Sequence, residues 1–198
     1  RMIRLDMSEY QTPESLESIL GERRSDLQAT EMASSLFMQV RKQPFSVILL
    51  DEFEKAHFLI YDLFLQVFDD GRLTDRSGNT ANFRNCIIIL TSNLGSKLQA
   101  GESIGFSPSS QTFSQAGVEK AIHETFRREF INRLDRVVVF RPLSRRVMRE
   151  ILHNELKKVL TRRGLRMREW AVEWEDTALD FLLDKGFTPD LGARPLKR

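Results

Sequence analysis

Cysteine is almost missing: Cys86 is the single thiol among 198 residues. One thiol excludes an internal disulfide, and such usage fits a reducing, cytosolic setting. Long apolar runs are missing too. None approaches the roughly 20 residues that a membrane-crossing helix needs. The opening residues, Arg1 to Asp6, do not resemble a signal peptide. An excess of one charge sign is also lacking. Thirty Lys and Arg against 28 Asp and Glu leave a net charge of +2, too small to point to nucleic acid or an anionic membrane as partner. A pI near 8.8 adds only weak support for either. No spacing of His, Cys, Asp and Glu matches a zinc site. There is no internal repeat and no low-complexity tract. What remains is an ordinary globular composition, 41% hydrophobic and 29% charged, with length for one substantial domain or a domain with a small satellite.

Within that composition, strand-like and helix-like stretches alternate. Residues 2 to 7 read as a strand, followed by a polar, turn-rich segment through residue 30. Residues 31 to 41 read as a helix, with Met32, Leu36 and Val40 spaced to share a face, and Pro44 ends it. A strand over 46 to 51 is apolar enough to be buried on both faces. The next helix begins near Ala56 with an inward stripe of Ile60, Leu63, Phe64 and Val67. Residues 69 to 85 carry turn signals of a hairpin. Cys86 to Leu90 is a second two-sided apolar strand, a type that lies in the middle of parallel sheets. A loop over 95 to 117, a helix around 118 to 129 and a strand Val137 to Phe140 follow. Beyond Pro142 come a helix over 144 to 162, an extended segment over 165 to 174 and a helix over 176 to 185. The fold class is therefore α/β with a parallel sheet over residues 1–140, followed by a smaller, mostly helical subdomain over 141–198.

The strand "SVILLD" ends in two adjacent carboxylates, Asp51 and Glu52. A strand's carboxyl end opens into the crevice where doubly wound sheets bind ligands. Two acids there suit a divalent cation and a phosphate ester: Asp51 to hold Mg²⁺, Glu52 to orient the water that attacks a γ-phosphate. An ordinary glutamate, with a pKa of about 4.3, is a poor base, so positioning water is the role assigned. The competing reading is that the pair caps the following helix. Of the histidines, His57 reads as structural at a helix start, while His123 and His153 sit on helices without ligand partners.

The segments "RLDMSEY", "VILLDEFEKAH", "DDGRLTD", "FRN", "TSNLG", "FRREFINRLD" and "GARPLKR" occur in one order along the chain. In this the sequence resembles the AAA+ ATPase module of the Clp family of hexameric protein unfoldases and chaperones, in its carboxy-terminal ring of ClpA, ClpC and ClpB type. The resemblance covers nearly the whole chain. It implies ATP and Mg²⁺ as cofactors, Asp51 and Glu52 as the Walker-B pair, and residues 141–198 as a lid over the nucleotide. It further implies Asn93 of "TSN" as the sensor of the γ-phosphate, against a turn Asn as the bland alternative. Arg133 of "FINRLD" matches the arginine finger that acts on a neighbouring subunit. Its alternative is a surface ion pair with Asp135 or Glu129. Arg194 of "GAR" matches the residue by which the lid touches nucleotide in its own subunit, against an ordinary helix-start arginine. Protein substrates, a homo-hexamer and a cytoplasmic location follow from the same resemblance.

The sequence departs from the family in two places. There is no G-x-x-x-x-G-K-[ST], the loop whose backbone cradles phosphates. The chain is thus expected to be a piece of a longer ATPase module, turning over ATP negligibly by itself. In the family, an aromatic loop grips polypeptide between "ILG" and the Walker-B strand. Here no aromatic occurs between Tyr10 and Phe37, leaving Leu27 or Met32 as weaker grips. A non-threading assembly or regulatory subunit is therefore the alternative to an unfoldase, together with a stand-alone disaggregase. Finally, Ile104, Gly105 and Phe106 place two large apolar residues in a hydrophilic loop. A similar tripeptide docks Clp unfoldases on the ClpP peptidase; the alternative is that both side chains fold back on the domain.

Overall fold

The computed structural model describes residues 1–21, 35–75, 78–94, 114–161 and 172–186. They fall into two compact units, the first closing with Ser114–Val138 and the second taking up at Val139. In the first unit, β1 (Met2–Asp6), β2 (Val47–Asp51) and β5 (Ile87–Leu90) form a parallel sheet in the order β1-β2-β5. Asp6 pairs with Asp51, and Leu50 with Leu90, so the three strands end together at one carboxyl edge.

Successive strand residues point to opposite faces, and burial follows that period. Ile3, Ile48 and Leu50 are buried in one cluster with Leu36, Phe37 and Val40 of α2 (Leu36–Lys42) and the stripe Ile60, Leu63, Phe64 and Val67 of α3 (Phe58–Asp70). The expected stripe of α3 thus faces the sheet. The two-sided burial expected of β2 is not found among the described residues. Val47, Leu49 and Asp51 alternate half-buried with buried Ile48 and Leu50. Nor is β5 a middle strand there: it is an edge, with Ile87 63% and Ile89 44% exposed. A continuous Val/Ile/Leu run carries no alternation, so it cannot say which face is covered.

Two further expectations change. The turn-rich segment after β1 contains α1 (Ser15–Leu20), a short helix that buries Ile19 and Leu20. It stops at Gly21, whose φ of 73° is open to glycine and whose N–H donates to the Glu17 carbonyl at 2.8 Å. Residues 137–140 form no strand. Val137, Val138 and Phe140 are exposed, so their β preference finds no ladder. The hairpin is present as β3 (Arg72–Thr74) paired antiparallel with β4 (Thr80–Asn82).

The helix expected around 118–129 is two helices, α4 (Gln115–Thr125) and α5 (Arg128–Ile131). Between them Phe126 leaves helical geometry, with φ −104° and ψ 138°. That break delivers Phe126 and Phe130 to one aromatic cluster, where both stack on Phe53 at centroid distances of 6.3 and 5.3 Å. In the second unit, α6 (Arg145–Leu160) and α7 (Asp176–Gly186) bury Met148 and Leu152 against Leu179 and Leu183. Arg145 spans Asp180 and Asp184 at 3.2 and 3.0 Å. Such exposed pairs contribute about 0–1 kcal/mol each, so the apolar stripe holds the two helices together. No described helix is long and apolar enough to cross a membrane.

Candidate functional site

The carboxyl edge of the sheet gathers the acidic pair and its neighbours. Arg4 reaches from β1 to Asp51, with Nη2 2.5 Å from Oδ2. The other carboxylate oxygen, Oδ1, accepts a hydrogen bond from the Thr91 hydroxyl, just beyond β5. Together these two donors, Thr91 foremost, hold the Asp51 carboxyl below its ordinary value of 3.8. Asp51 is therefore an anion at neutral pH. Asp6, beside it in register, is also held low, chiefly by the hydroxyl and the N–H of Ser8 at 2.6 and 3.0 Å.

Glu52 turns the chain out of the strand in the left-handed region, at φ 55° and ψ 48°. A non-glycine residue rarely adopts that geometry, and it costs about 1–3 kcal/mol where it occurs. The surrounding bonds enforce it. Glu52 N–H donates to Thr91 Oγ1 at 3.2 Å, and Phe53 N–H donates to the Thr91 carbonyl at 2.9 Å. The Phe53 ring is buried among Tyr61, Phe64, Phe126 and Phe130, and its carbonyl accepts from Tyr61 Oη at 3.0 Å. Burial, and then the charge of Glu54, push the Tyr61 hydroxyl up to about 12.

Neither acid serves as the cap of α3. The side chain of Glu52 makes no capping hydrogen bond, and the N-cap is His57, whose Nδ1 accepts from Leu59 N–H at 3.4 Å. His57 is thus structural, as its place in the sequence suggests. Glu52 instead forms an ion pair with Lys55, which raises the lysine above its ordinary value.

Asn93 lies three residues beyond β5 at the same edge. Its N–H donates to Glu54 Oε1 at 3.4 Å, while Glu54 Oε2 is buried without a hydrogen-bond partner among the described residues. The structure therefore brings Asp51, Glu52 and Asn93 to one edge. Arg133 is elsewhere: it pairs with Asp69 at 2.6 Å, rather than with the Asp135 or Glu129 weighed from the sequence. Asp69 sits in the last turn of α3. Arg194, and Ile104, Gly105 and Phe106, lie outside the described residues, as does the interval holding Leu27 and Met32.

Sequence reasoning missed Arg4, Glu54 and Thr91. The signal for Thr91 is adjacency, since it opens the "TSN" segment that holds Asn93. Arg4 follows only from strand register, and Glu54 only from the turn after β2 that sets it against the Asn93 N–H.

The donors at this edge are hard oxygens: the Asp51 and Glu52 carboxylates and the Thr91 hydroxyl. Among the described residues, no group of three or more His, Cys, Asp or Glu could hold a metal by itself. Magnesium is bound by one or two carboxylates together with substrate phosphates rather than by an all-protein cage. The residues present fit that cation, and the guanidinium at Oδ2 marks a place where positive charge is favoured.

Residues 1–137 match the family described as AAA domain (Cdc48 subfamily), and residues 143–198 match the C-terminal, D2-small domain, of ClpB protein. The chaperone protein ClpB of Meiothermus ruber is 45% identical over 197 residues, covering 100% of this chain and 22% of that protein. A probable ATP-dependent Clp protease ATP-binding subunit of Chlamydia pneumoniae is 42% identical over 202 residues, covering 100% of this chain and 23% of that one. Among solved structures, the S. cerevisiae Hsp104:casein complex in its extended conformation matches with a TM-score of 0.79 at 34% identity, over 100% of this chain and 33% of that chain. This chain thus spans between a fifth and a quarter of the length of those two relatives. With both matches in chain order over a parallel sheet flanked by helices, the chain belongs to the AAA+ ATPase family, as a module of its Clp type.

Proposed function

We propose that this chain is part of the ATP-hydrolysing module of a hexameric, cytoplasmic protein remodeller of the Clp type. One observation carries the reading: two adjacent carboxylates stand at the carboxyl edge of the sheet, one held anionic and neither spent on capping a helix. Magnesium, when bound with ATP, neutralises the charge that develops on the β- and γ-phosphate oxygens. Asp51 offers its carboxylate to that cation. Glu52 orients the attacking water, and Asn93 hydrogen-bonds that water or the γ-phosphate without adding charge. Arg133 serves the nucleotide of the neighbouring subunit. Arg194 of the lid, residues 141–198, touches nucleotide in the same subunit.

Protein substrates are supported by the similarity to Hsp104, whose structure includes casein. A ClpP-like peptidase as docking partner through Ile104, Gly105 and Phe106 has support in the likeness to a Clp protease ATP-binding subunit. The lack of any aromatic between Tyr10 and Phe37 favours a second reading, a subunit that binds nucleotide and partners without threading polypeptide. One experiment separates the two. The full-length protein is assayed for Mg²⁺-dependent ATP turnover and for loss of fluorescence from a folded fluorescent protein bearing an unstructured tail. Turnover with unfolding supports the remodeller; turnover without unfolding supports the non-threading subunit. Absence of turnover contradicts the remodeller.

A further inference from the structure

Thr91 binds four consecutive residues of the neighbouring strand and its turn. Its N–H donates to the Leu50 carbonyl at 3.0 Å, and its carbonyl accepts from Phe53 N–H at 2.9 Å. Between these backbone bonds, its hydroxyl donates to Asp51 Oδ1 and accepts from Glu52 N–H at 3.2 Å. A threonine hydroxyl has one proton to give and two lone pairs to offer. Here the proton goes to the carboxylate and a lone pair to the next amide. One side chain thereby orients the first acid and fixes the left-handed backbone of the second.

We infer that Thr91 is the positioning residue of the acidic pair: its hydroxyl aims the Asp51 carboxylate at the cation and holds Glu52 in the turn that presents its carboxylate to water. This rests on the hydrolytic reading of that pair. The two backbone bonds do not need the side chain, so they survive substitution by valine, which has threonine's shape without its hydroxyl. The strand ladder stays closed while Asp51 Oδ1 loses its donor and Glu52 N–H its acceptor. Glu52 is then free to leave the left-handed region for one that non-glycine residues prefer.

The test uses the full-length protein with Thr91→Val and Thr91→Ser, and Glu52→Gln in parallel. ATP turnover, Mg²⁺-dependent binding of a fluorescent ADP analogue, and thermal melting are measured on each. Groups that orient metal ligands typically change affinity or activity about 10- to 100-fold when removed. Thr91→Val should lose kcat by roughly that factor, with KM for ATP within about threefold and melting temperature nearly unchanged. It should also raise the Mg²⁺ concentration at half-maximal analogue binding by about tenfold. Thr91→Ser, which keeps the hydroxyl, should restore both. Normal turnover and Mg²⁺ dependence in Thr91→Val overturn the inference, as does a serine variant no better than valine. If valine prevents folding, Thr91→Ala against Thr91→Ser isolates the same hydroxyl, and equal rates overturn it. Glu52→Gln separates the failures. If that variant is inactive while Thr91→Val is normal, only the role of Thr91 falls; if Glu52→Gln hydrolyses normally, the hydrolytic reading falls and Thr91 with it.

Discussion

Arg133 and Asp69 meet at 2.6 Å on the surface, beside the last turn of α3. The side chains are 49% and 38% exposed, so the ion pair itself contributes about 0–1 kcal/mol. Arg133→Ala should therefore leave thermal stability almost untouched. If Arg133 is a finger acting in trans, hydrolysis by the full-length protein should fall by about 10³- to 10⁵-fold. Mixing Arg133→Ala subunits with Glu52→Gln subunits should then recover turnover, because one supplies an intact site and the other an intact finger. A mixture as inactive as its parts would assign Arg133 to the Asp69 pair alone.

Phe53 is the anchor of the turn that carries Glu52. Its ring is 1% exposed and touches four other aromatic rings, from α3, α5 and the break between α4 and α5. Phe53→Ala should destabilise the first unit by about 3–5 kcal/mol, the usual loss for a large aromatic removed from a core. Urea unfolding measures it. A loss below about 1 kcal/mol would mean that the cluster repacks around the gap.

The fold was legible where the pattern was long or the turn chemistry explicit. The i, i+3, i+4, i+7 stripe of α3 and the Asp-Gly and Ser-Gly-Asn signals of the hairpin each named their element. The helix α1 was missed because six residues give one turn and a half of periodicity, although Leu16, Ile19, Leu20 and the closing Gly21 were all in view. The strands β2 and β5 were found but their coverage was misjudged, since an unbroken apolar run does not distinguish its faces. Val137 to Phe140 shows the reverse error: β preference without a partner strand. At the candidate site, adjacency exposed Asp51 and Glu52. The bonds of Thr91 and Arg4 to Asp51 run between strands 40 and 47 residues apart, and only register discloses them.

Acid should act on the same edge. The folded protein holds Asp51 below 3.8, while in the unfolded chain it titrates near that value. As pH falls, the unfolded chain takes up the proton first, so the stabilisation is whole above 3.8 and is lost as pH descends through the folded value. Thr91→Val removes the largest cause of the depression and should flatten the loss of stability below pH 3.8. Urea midpoints taken at intervals from pH 5 to pH 2.5 report it. Equal slopes for variant and wild type would show that the hydroxyl does not set the titration.

Phe106→Ala tests the docking reading. A Phe side chain fully buried in a partner's pocket contributes roughly 1.5–3 kcal/mol, and six copies in a ring multiply that through avidity. Association with a ClpP-like peptidase ring should be lost while ATP turnover and melting temperature persist. A lowered melting temperature, or a wild-type protein that never binds the peptidase, would contradict docking.

The most direct measurement is Glu52→Gln in the full-length protein, followed by nucleotide binding and by ATP hydrolysis in one preparation. The variant keeps the size and backbone of Glu52 and leaves Asp51 to the cation, removing only the charge that orients water. The account predicts nucleotide affinity close to wild type and hydrolysis reduced by about 10²- to 10⁴-fold, the range for a positioned acid or base. Hydrolysis at the wild-type rate with nucleotide bound would contradict it.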